Sequence, residues 1–448
     1  MVEDNPIQSE LEMLVTFCTK YPHIYIYRHT QSQILIAKYL HMASIRVEGY
    51  LCEGDSEQEY GDDTLPVLSI AQLKRKYKKN TVGILVSTAT SEEDNNALQS
   101  VGLKNTFIFS EWNRRTIPYK MTPRSKENFW IEVNLADHCN LNCQCCDHFS
   151  PIAPPTWLDF DQYVKDLKRL SELTDNKIGL IKLQGGEPLL NDRLIDYMRV
   201  TREIFPNAFI CLFTAGLLLK KWGNQPQEKN LWWAVKEYEI EVRWTHYPIK
   251  LKFDEIKKEV QDHGIEWWET PPPFEKGARV WFFSEIGALQ YKGEKHSVKH
   301  PFWLEGGVAP YRWISCYQFN ESIVLRDGKI YTCPMIPYAH FFNAYFNREL
   351  KVTDEDYIDI YKAKSYEEIA EFCTHRVPFC GYCAVHHRYS RPWKQSGHTI
   401  EEWTEPRPFL GDRIIPRKLN LILMGLQSLK YNGIKETYIK ARNVLLKK

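Results

Sequence analysis

The sequence lacks an excess of charge: Lys and Arg number 58 against 57 for Asp and Glu in 448 residues. That balance excludes a field able to gather nucleic acid or another acidic polymer, and no nucleic-acid partner is expected. A long apolar run is missing too. The longest, residues 208–219, is too short for a bilayer and reads as a buried strand entering a loop. The first residues, MVEDNPIQSE, have neither a basic start nor an apolar centre, so no signal peptide is expected and the chain should work in the cytoplasm. Internal repeats and low-complexity tracts are absent. What is plentiful is core material, with 43% hydrophobic residues, 25 Tyr and 14 Trp, and there are 12 Cys. The length allows about three domains. In a reducing compartment clustered cysteines point to metal ligands or free thiols rather than disulfides.

Hydrophobic periodicity predicts a helix over residues 7–21, a strand at 23–27, a helix at 32–42, and strands at 45–52, 82–87 and 106–110. Such alternation makes a parallel α/β domain of residues 1–118. It resembles the Rossmann-like modules attached to many surface-glycan biosynthesis proteins. The turn after the first strand, Arg28-His29-Thr30-Gln31-Ser32, has no glycine to let backbone approach a pyrophosphate, so the module is degenerate. A docking or substrate-presenting role is expected of it in place of dinucleotide binding.

Residues 118–125, with two prolines and several polar residues, read as a linker. Strands at 130–135, 178–183, 209–213 and 241–244 alternate with helical patterns, which predicts a complete or partial (β/α) barrel over residues 124–312, interrupted near its end by Pro271-Pro272-Pro273. A Cys-rich, turn-rich module occupies residues 313–403. A basic helical tail, residues 404–448, carries Leu419, Leu421, Ile422, Leu423 and Leu426 at helical spacing among cations. It reads either as a weak contact with an anionic membrane surface or as an apolar stripe packed on the barrel.

The loop after the first barrel strand contains Cys139, Cys143 and Cys146 as CxxxCxxC. Three thiolates on a 4Fe-4S cluster leave one iron open. One strand later comes Gln184-Gly185-Gly186-Glu187-Pro188, and another strand on, Phe213-Thr214-Ala215-Gly216. In this order, each at a strand end where parallel barrels keep their chemistry, the three motifs resemble those of the radical S-adenosylmethionine (SAM) superfamily over residues 128–400. The resemblance implies that the open iron takes the amino and carboxylate groups of SAM, and that Gly185, Gly186, Glu187, Pro188, Thr214 and Gly216 hold SAM, with the Glu187 carboxylate suited to its ammonium. Cys145 replaces the family's usual aromatic before the third cysteine, and Ala215 the usual Asn.

Downstream, Cys316 and Cys333 bracket Gly328 as Cys-x11-Gly-x4-Cys, and Cys380 and Cys383 follow as CxxC. The stretch around Arg326-Asp327-Gly328 predicts a hairpin. The pattern resembles the twitch module, half of the larger SPASM module, and its ligand order resembles that of butirosin-type twitch dehydrogenases. It implies a second 4Fe-4S cluster, fully ligated and suited to passing electrons; no cysteine follows Cys383 to ligate a further one. Cys373 reads as a spare thiol or hydrogen-atom donor, and Cys18, Cys52 and Cys211 as buried apolar residues. Residues 392–403 read as packing between module and barrel.

The resemblance implies a 5′-deoxyadenosyl radical that takes a hydrogen atom from a sugar, sugar alcohol or glycan precursor, giving dehydrogenation or epimerisation, with an external donor such as flavodoxin or ferredoxin. Asp147, His148, His246 and Tyr247 are the candidate proton acceptors. Peptide modification is a second reading. The third is a non-catalytic scaffold whose cysteines hold zinc.

Overall fold

A computed structural model describes residues 6–54, 64–283 and 296–408. The basic tail beyond residue 408, with its proposed membrane contact, lies outside the described residues. Strands β1 (His23–Tyr27), β2 (Gly49–Cys52), β3 (Val67–Ser69), β4 (Val82–Val86) and β5 (Thr106–Ile108) form an all-parallel sheet in the order β3-β2-β1-β4-β5. That order is the doubly wound arrangement that the alternation predicts; β3, three residues long, is an addition to it. Arg28, at the end of β1, sits at φ 68° where a nucleotide-binding fold keeps glycine. Its guanidinium is spent on Asp94, 2.7 Å away.

The expected linker is shorter than its prolines suggest, because the helix Glu111–Met121 runs through Pro118. Proline removes one N–H and crowds the preceding turn; this one lies in the helix's last turn, where the loss is confined to a single bond.

The second sheet has nine strands: β6 (Trp130–Ala136), β7 (Leu180–Gly185), β8 (Phe209–Thr214), β9 (Glu241–Thr245), β10 (Glu266–Trp268), β11 (Arg279–Phe283), then β13 (Ile323–Arg326), β14 (Lys329–Tyr331) and β15 (Tyr357–Asp359), in the order β10-β11-β9-β8-β7-β6-β13-β14-β15. From β10 to β6 every pairing is parallel, giving a partial barrel. Alternate residues Ile131, Val133, Leu135, Ile181, Leu183, Ile210, Leu212 and Val242 face a helical layer and share its core with Leu167, Leu170 and Met198.

The Cys-rich module is not a separate body beside the barrel. Its hairpin strand β13 pairs in parallel with β6, Ile323 against Ile131, so the sheet runs from one module into the other. Asp327 (φ 50°) and Gly328 (φ 71°) form the two-residue turn, the mirror-type turn that matches strand twist. Strand β12 (His296–Lys299) pairs antiparallel with β16 (Tyr389–Pro392) outside the main sheet.

The N-terminal domain is completed by the distant module. The 3-10 turn Pro310–Ser315 and Phe319 bury Tyr311, Trp313 and Ile314 among Leu11, Leu14, Ile36 and Tyr39. The Tyr39 hydroxyl donates to the Tyr311 carbonyl at 2.8 Å, and the Lys120 ammonium to the Cys316 carbonyl. No helix among the described residues is long and apolar enough to cross a membrane.

Trp313 is 4% exposed and stacks edge-on against Phe319 at 4.3 Å. Trp313→Ala should cost ~3–5 kcal/mol by lost burial and a residual cavity. Urea unfolding followed by tryptophan fluorescence checks this; an unmoved midpoint would show that the wedge does not hold the domains together.

Candidate active site

The cysteine loop leaves β6 at Ala136 and is held at its base by buried Asp137, which takes both arms of Arg326 from the hairpin at 2.8 and 3.2 Å. Asn142, Cys145 and Phe149 within the loop adopt left-handed φ of 54°, 59° and 55°. Such strain in non-glycine residues persists only where surroundings impose it. Cys139, Cys143 and Cys146 are half-buried and close enough that the charges of Cys143 and Cys146 add to the burial that drives the Cys139 thiol upward. Cys145 points elsewhere, into the protein; it is 5% exposed, with its thiol pushed up to about 11 by burial.

Beside the loop, the Gly185-Gly186 turn is zipped to the backbone that leads into it. Gly186 N–H donates to the Ala136 carbonyl at 2.8 Å and Glu187 N–H to the His138 carbonyl at 3.1 Å. A Cβ on Gly186 would lie 2.0 Å from the His138 oxygen, so only glycine fits. Pro188 opens a 3-10 turn directly after. The Glu187 carboxylate is 1% exposed: Oε1 accepts from the Thr214 hydroxyl at 2.7 Å and Oε2 from the Ala215 N–H at 2.9 Å. Glu187 and Thr214 thus clamp two strand-end loops together. Burial raises the Glu187 carboxyl despite these bonds. Gly216 (φ 86°) packs where a Cβ would meet the Trp244 indole at 2.0 Å.

The second set of thiols gathers below the hairpin. Burial raises Cys333 and Cys383 well above the ordinary range, and the nearby Cys316 raises both further; burial holds Cys380 at about 11. Among the described residues no three His, Cys, Asp or Glu side chains close around a single-ion position. The thiols converge more loosely, within reach of one another's charge. Burial of this kind favours the neutral thiol at Cys333, Cys380 and Cys383 until an electrophilic metal withdraws the proton. Cys373 is 1% exposed and packs in the barrel core. Cys18, Cys52 and Cys211 are buried as expected.

Asp147 and His148 lie between the two sets. Asp147 accepts from His300 Nδ1 at 2.9 Å and Gln318 Nε2 at 2.7 Å. Burial would raise its carboxyl, but the His300 charge outweighs this and holds it below the usual carboxylate range. His148 reaches the Cys146 sulfur and its buried Nε2 has no protein partner. His246 packs on Phe282 at 5.2 Å, and Tyr247 on Trp393 at 5.6 Å. Sequence reasoning missed Trp393: its indole N–H lies 3.1 Å from the Cys143 sulfur, and no local pattern marks a contact 250 residues away.

No family model matches the chain. A GTP 3′,8-cyclase of Clostridium perfringens is 30% identical over 109 residues, 24% of this chain and 33% of that protein. The FeMo cofactor biosynthesis protein NifB of Methanocaldococcus infernus is 27% identical over 141 residues, 27% of this chain and 45% of that protein. The chain thus spans about a third to under half of the length of these relatives. Among solved structures, BtrN in complex with AdoMet and 2-DOIA aligns over 58% of this chain and 94% of its own, at 16% identity and a TM-score of 0.35. The three strand-end motifs and the similarity to the cyclase and NifB, each over about a quarter of this chain, support a radical SAM protein, here with a partial barrel and a Cys-rich C-terminal module.

Glu187→Ala should leave the Thr214 and Ala215 donors without an acceptor, at about 1–3 kcal/mol for each buried group. Thermal stability and SAM affinity should fall together, read by calorimetry on reconstituted protein. Loss of affinity with unchanged stability would assign the carboxylate to direct SAM binding.

Proposed function

We propose that the chain uses a 5′-deoxyadenosyl radical to abstract a hydrogen atom from a carbon bearing a hydroxyl group in a sugar, sugar alcohol or glycan precursor, giving dehydrogenation or epimerisation. Cys139, Cys143 and Cys146 would hold the SAM cluster and Cys316, Cys333, Cys380 and Cys383 an auxiliary one, with an external flavodoxin or ferredoxin as electron source. When bound, these groups supply the electron, the radical and an acceptor for a second electron.

The observation that carries the substrate class is a band of polar groups on the barrel's inner wall. The residues of β6 to β11 that alternate with the core set include Glu132, Asn134, Lys182, Gln184, Glu241, Arg243 and Arg279, beside an apolar patch of Leu180, Phe209, Cys211 and Phe213. Lys182 and Gln184 each contact Glu132 at 2.8 Å, and Arg243 contacts Glu241 at 2.5 Å. Asn134 is 1% exposed with neither amide atom partnered. Buried polar groups of this kind demand hydrogen-bonding partners, which a polyhydroxylated substrate offers and an apolar one does not. At one end of the wall Trp130 and Phe209 pack against Phe274, at 5.4 and 4.7 Å. His148, within range of the Glu132 charge, presents its unpartnered Nε2 as a further contact for a substrate hydroxyl. Among the described residues the N-terminal domain is a doubly wound sheet and not a winged helix, which favours a sugar over a peptide.

Anaerobic reconstitution should give about eight irons per chain, as two clusters require, and stoichiometric zinc without iron would sink the reading. Changing Cys139, Cys143 and Cys146 together to Ala should remove about half of the iron and all SAM cleavage. Replacing Cys380 and Cys383 should abolish product while sparing some uncoupled 5′-deoxyadenosine. Incubation with SAM, reductant and cell extract should yield 5′-deoxyadenosine and a metabolite of shifted mass.

The inner wall gives a separate expectation. Asn134→Leu should keep iron and uncoupled cleavage yet lower substrate turnover by about tenfold or more, the loss of one buried hydrogen-bonding group to substrate. Turnover at the wild-type rate would remove Asn134 from the substrate site.

A further inference from the structure

We propose that Trp393 is a positioning residue that raises the reduction potential of the first cluster through an indole N–H to sulfur hydrogen bond, delivered by a strap that adds a strand to the cysteine loop. This rests on the reading of Cys139, Cys143 and Cys146 as cluster ligands. The strap follows the auxiliary module. After β16 the chain runs antiparallel to the cysteine loop, pairing Gln395 with Cys143. Gln144 N–H donates to the Lys394 carbonyl at 3.1 Å, Ser396 N–H to the Asn142 carbonyl at 2.7 Å, and Gln144 Nε2 to the Pro392 carbonyl at 2.8 Å. Gln395 Nε2 returns a bond to the Leu141 carbonyl at 3.2 Å, and further on Trp403 Nε1 donates to the Cys146 carbonyl at 2.9 Å.

These bonds fix the backbone on both sides of Trp393. The indole N–H then meets Cys143 Sγ at 3.1 Å, and the Tyr247 ring packs against it at 5.6 Å. Cluster reduction places added negative charge on the thiolate sulfurs, and a donor aimed at one of them stabilises the reduced form. The half-buried setting strengthens the effect, because water screens little there. Packing alone would be served by Phe; an N–H on the sulfur is what Trp adds.

The test is Trp393→Phe in the full-length, reconstituted protein, with the first cluster recognised by the change in its EPR signal on adding SAM. At a fixed potential the reduced-to-oxidised ratio of that cluster should fall about three- to tenfold, where tenfold corresponds to about 59 mV for one electron. The auxiliary signal should not move. Full iron and an intact SAM response with an unchanged ratio overturn this inference and leave the proposed function standing. Absence of iron or of a SAM response in the wild type overturns both. Should the variant load poorly, wild-type protein carrying ring-15N tryptophan decides: the reduced first cluster should show a 15N hyperfine coupling that persists in Trp403→Phe, and its absence overturns the inference.

Discussion

Strand β6 is the constraint on which the rest of the site depends. Its carboxyl end releases the cysteine loop, its β7 flank brings the Gly185-Gly186 turn against that loop, and its opposite flank pairs with the hairpin strand β13. Asp137 and Arg326 lock the second of these junctions at the point where the loop begins. A buried pair of this kind adds little net stability, since desolvation of both charges offsets their attraction, but losing either partner strands the other. Its value here is geometric. It ties the start of the cysteine loop to the hairpin of the C-terminal module.

The same economy recurs at Glu187. A carboxylate buried to 1% exposure survives only with its lone pairs filled, and the Thr214 hydroxyl and Ala215 N–H fill them. The ends of β7 and β8 through Glu187, and of β6 and β13 through Asp137 and Arg326, are therefore cross-linked by side chains whose conversion to apolar residues would leave orphaned polar atoms in a dry place. Rigidity at these ends is what a site handling a reactive radical requires, because a small displacement of the reacting carbon redirects hydrogen abstraction.

Much of this was legible in the sequence wherever the determinant was local. Period-two apolar runs located β1, β6, β7, β8 and β9, and Asp327-Gly328 announced its turn because few other dipeptides adopt two successive left-handed conformations. Thiol spacing separated the set of three from the set of four. What escaped depended on remote pairing: nothing in Ile323–Arg326 says that its partner is Trp130–Ala136, and nothing around Gln395 names Cys143. At Glu187 the motif identifies the residue type, but only the fold reveals that its carboxylate also accepts from Thr214 and Ala215 of the next loop. Pro118 misled in the other direction, since a proline in a final turn ends very little.

The wedge of residues 310–319 in the N-terminal domain has a consequence for biosynthesis. The first domain leaves the ribosome with a groove meant for Tyr311, Trp313 and Phe319, and roughly 190 residues separate its last helix from them, which at about 5–20 residues per second is some ten to forty seconds of translation. During that interval Leu11, Leu14 and Ile36 lack part of their cover. Closure of the groove and delivery of Cys316 to its site are then one event, so the chain cannot finish its first domain without also presenting the first thiol of its last.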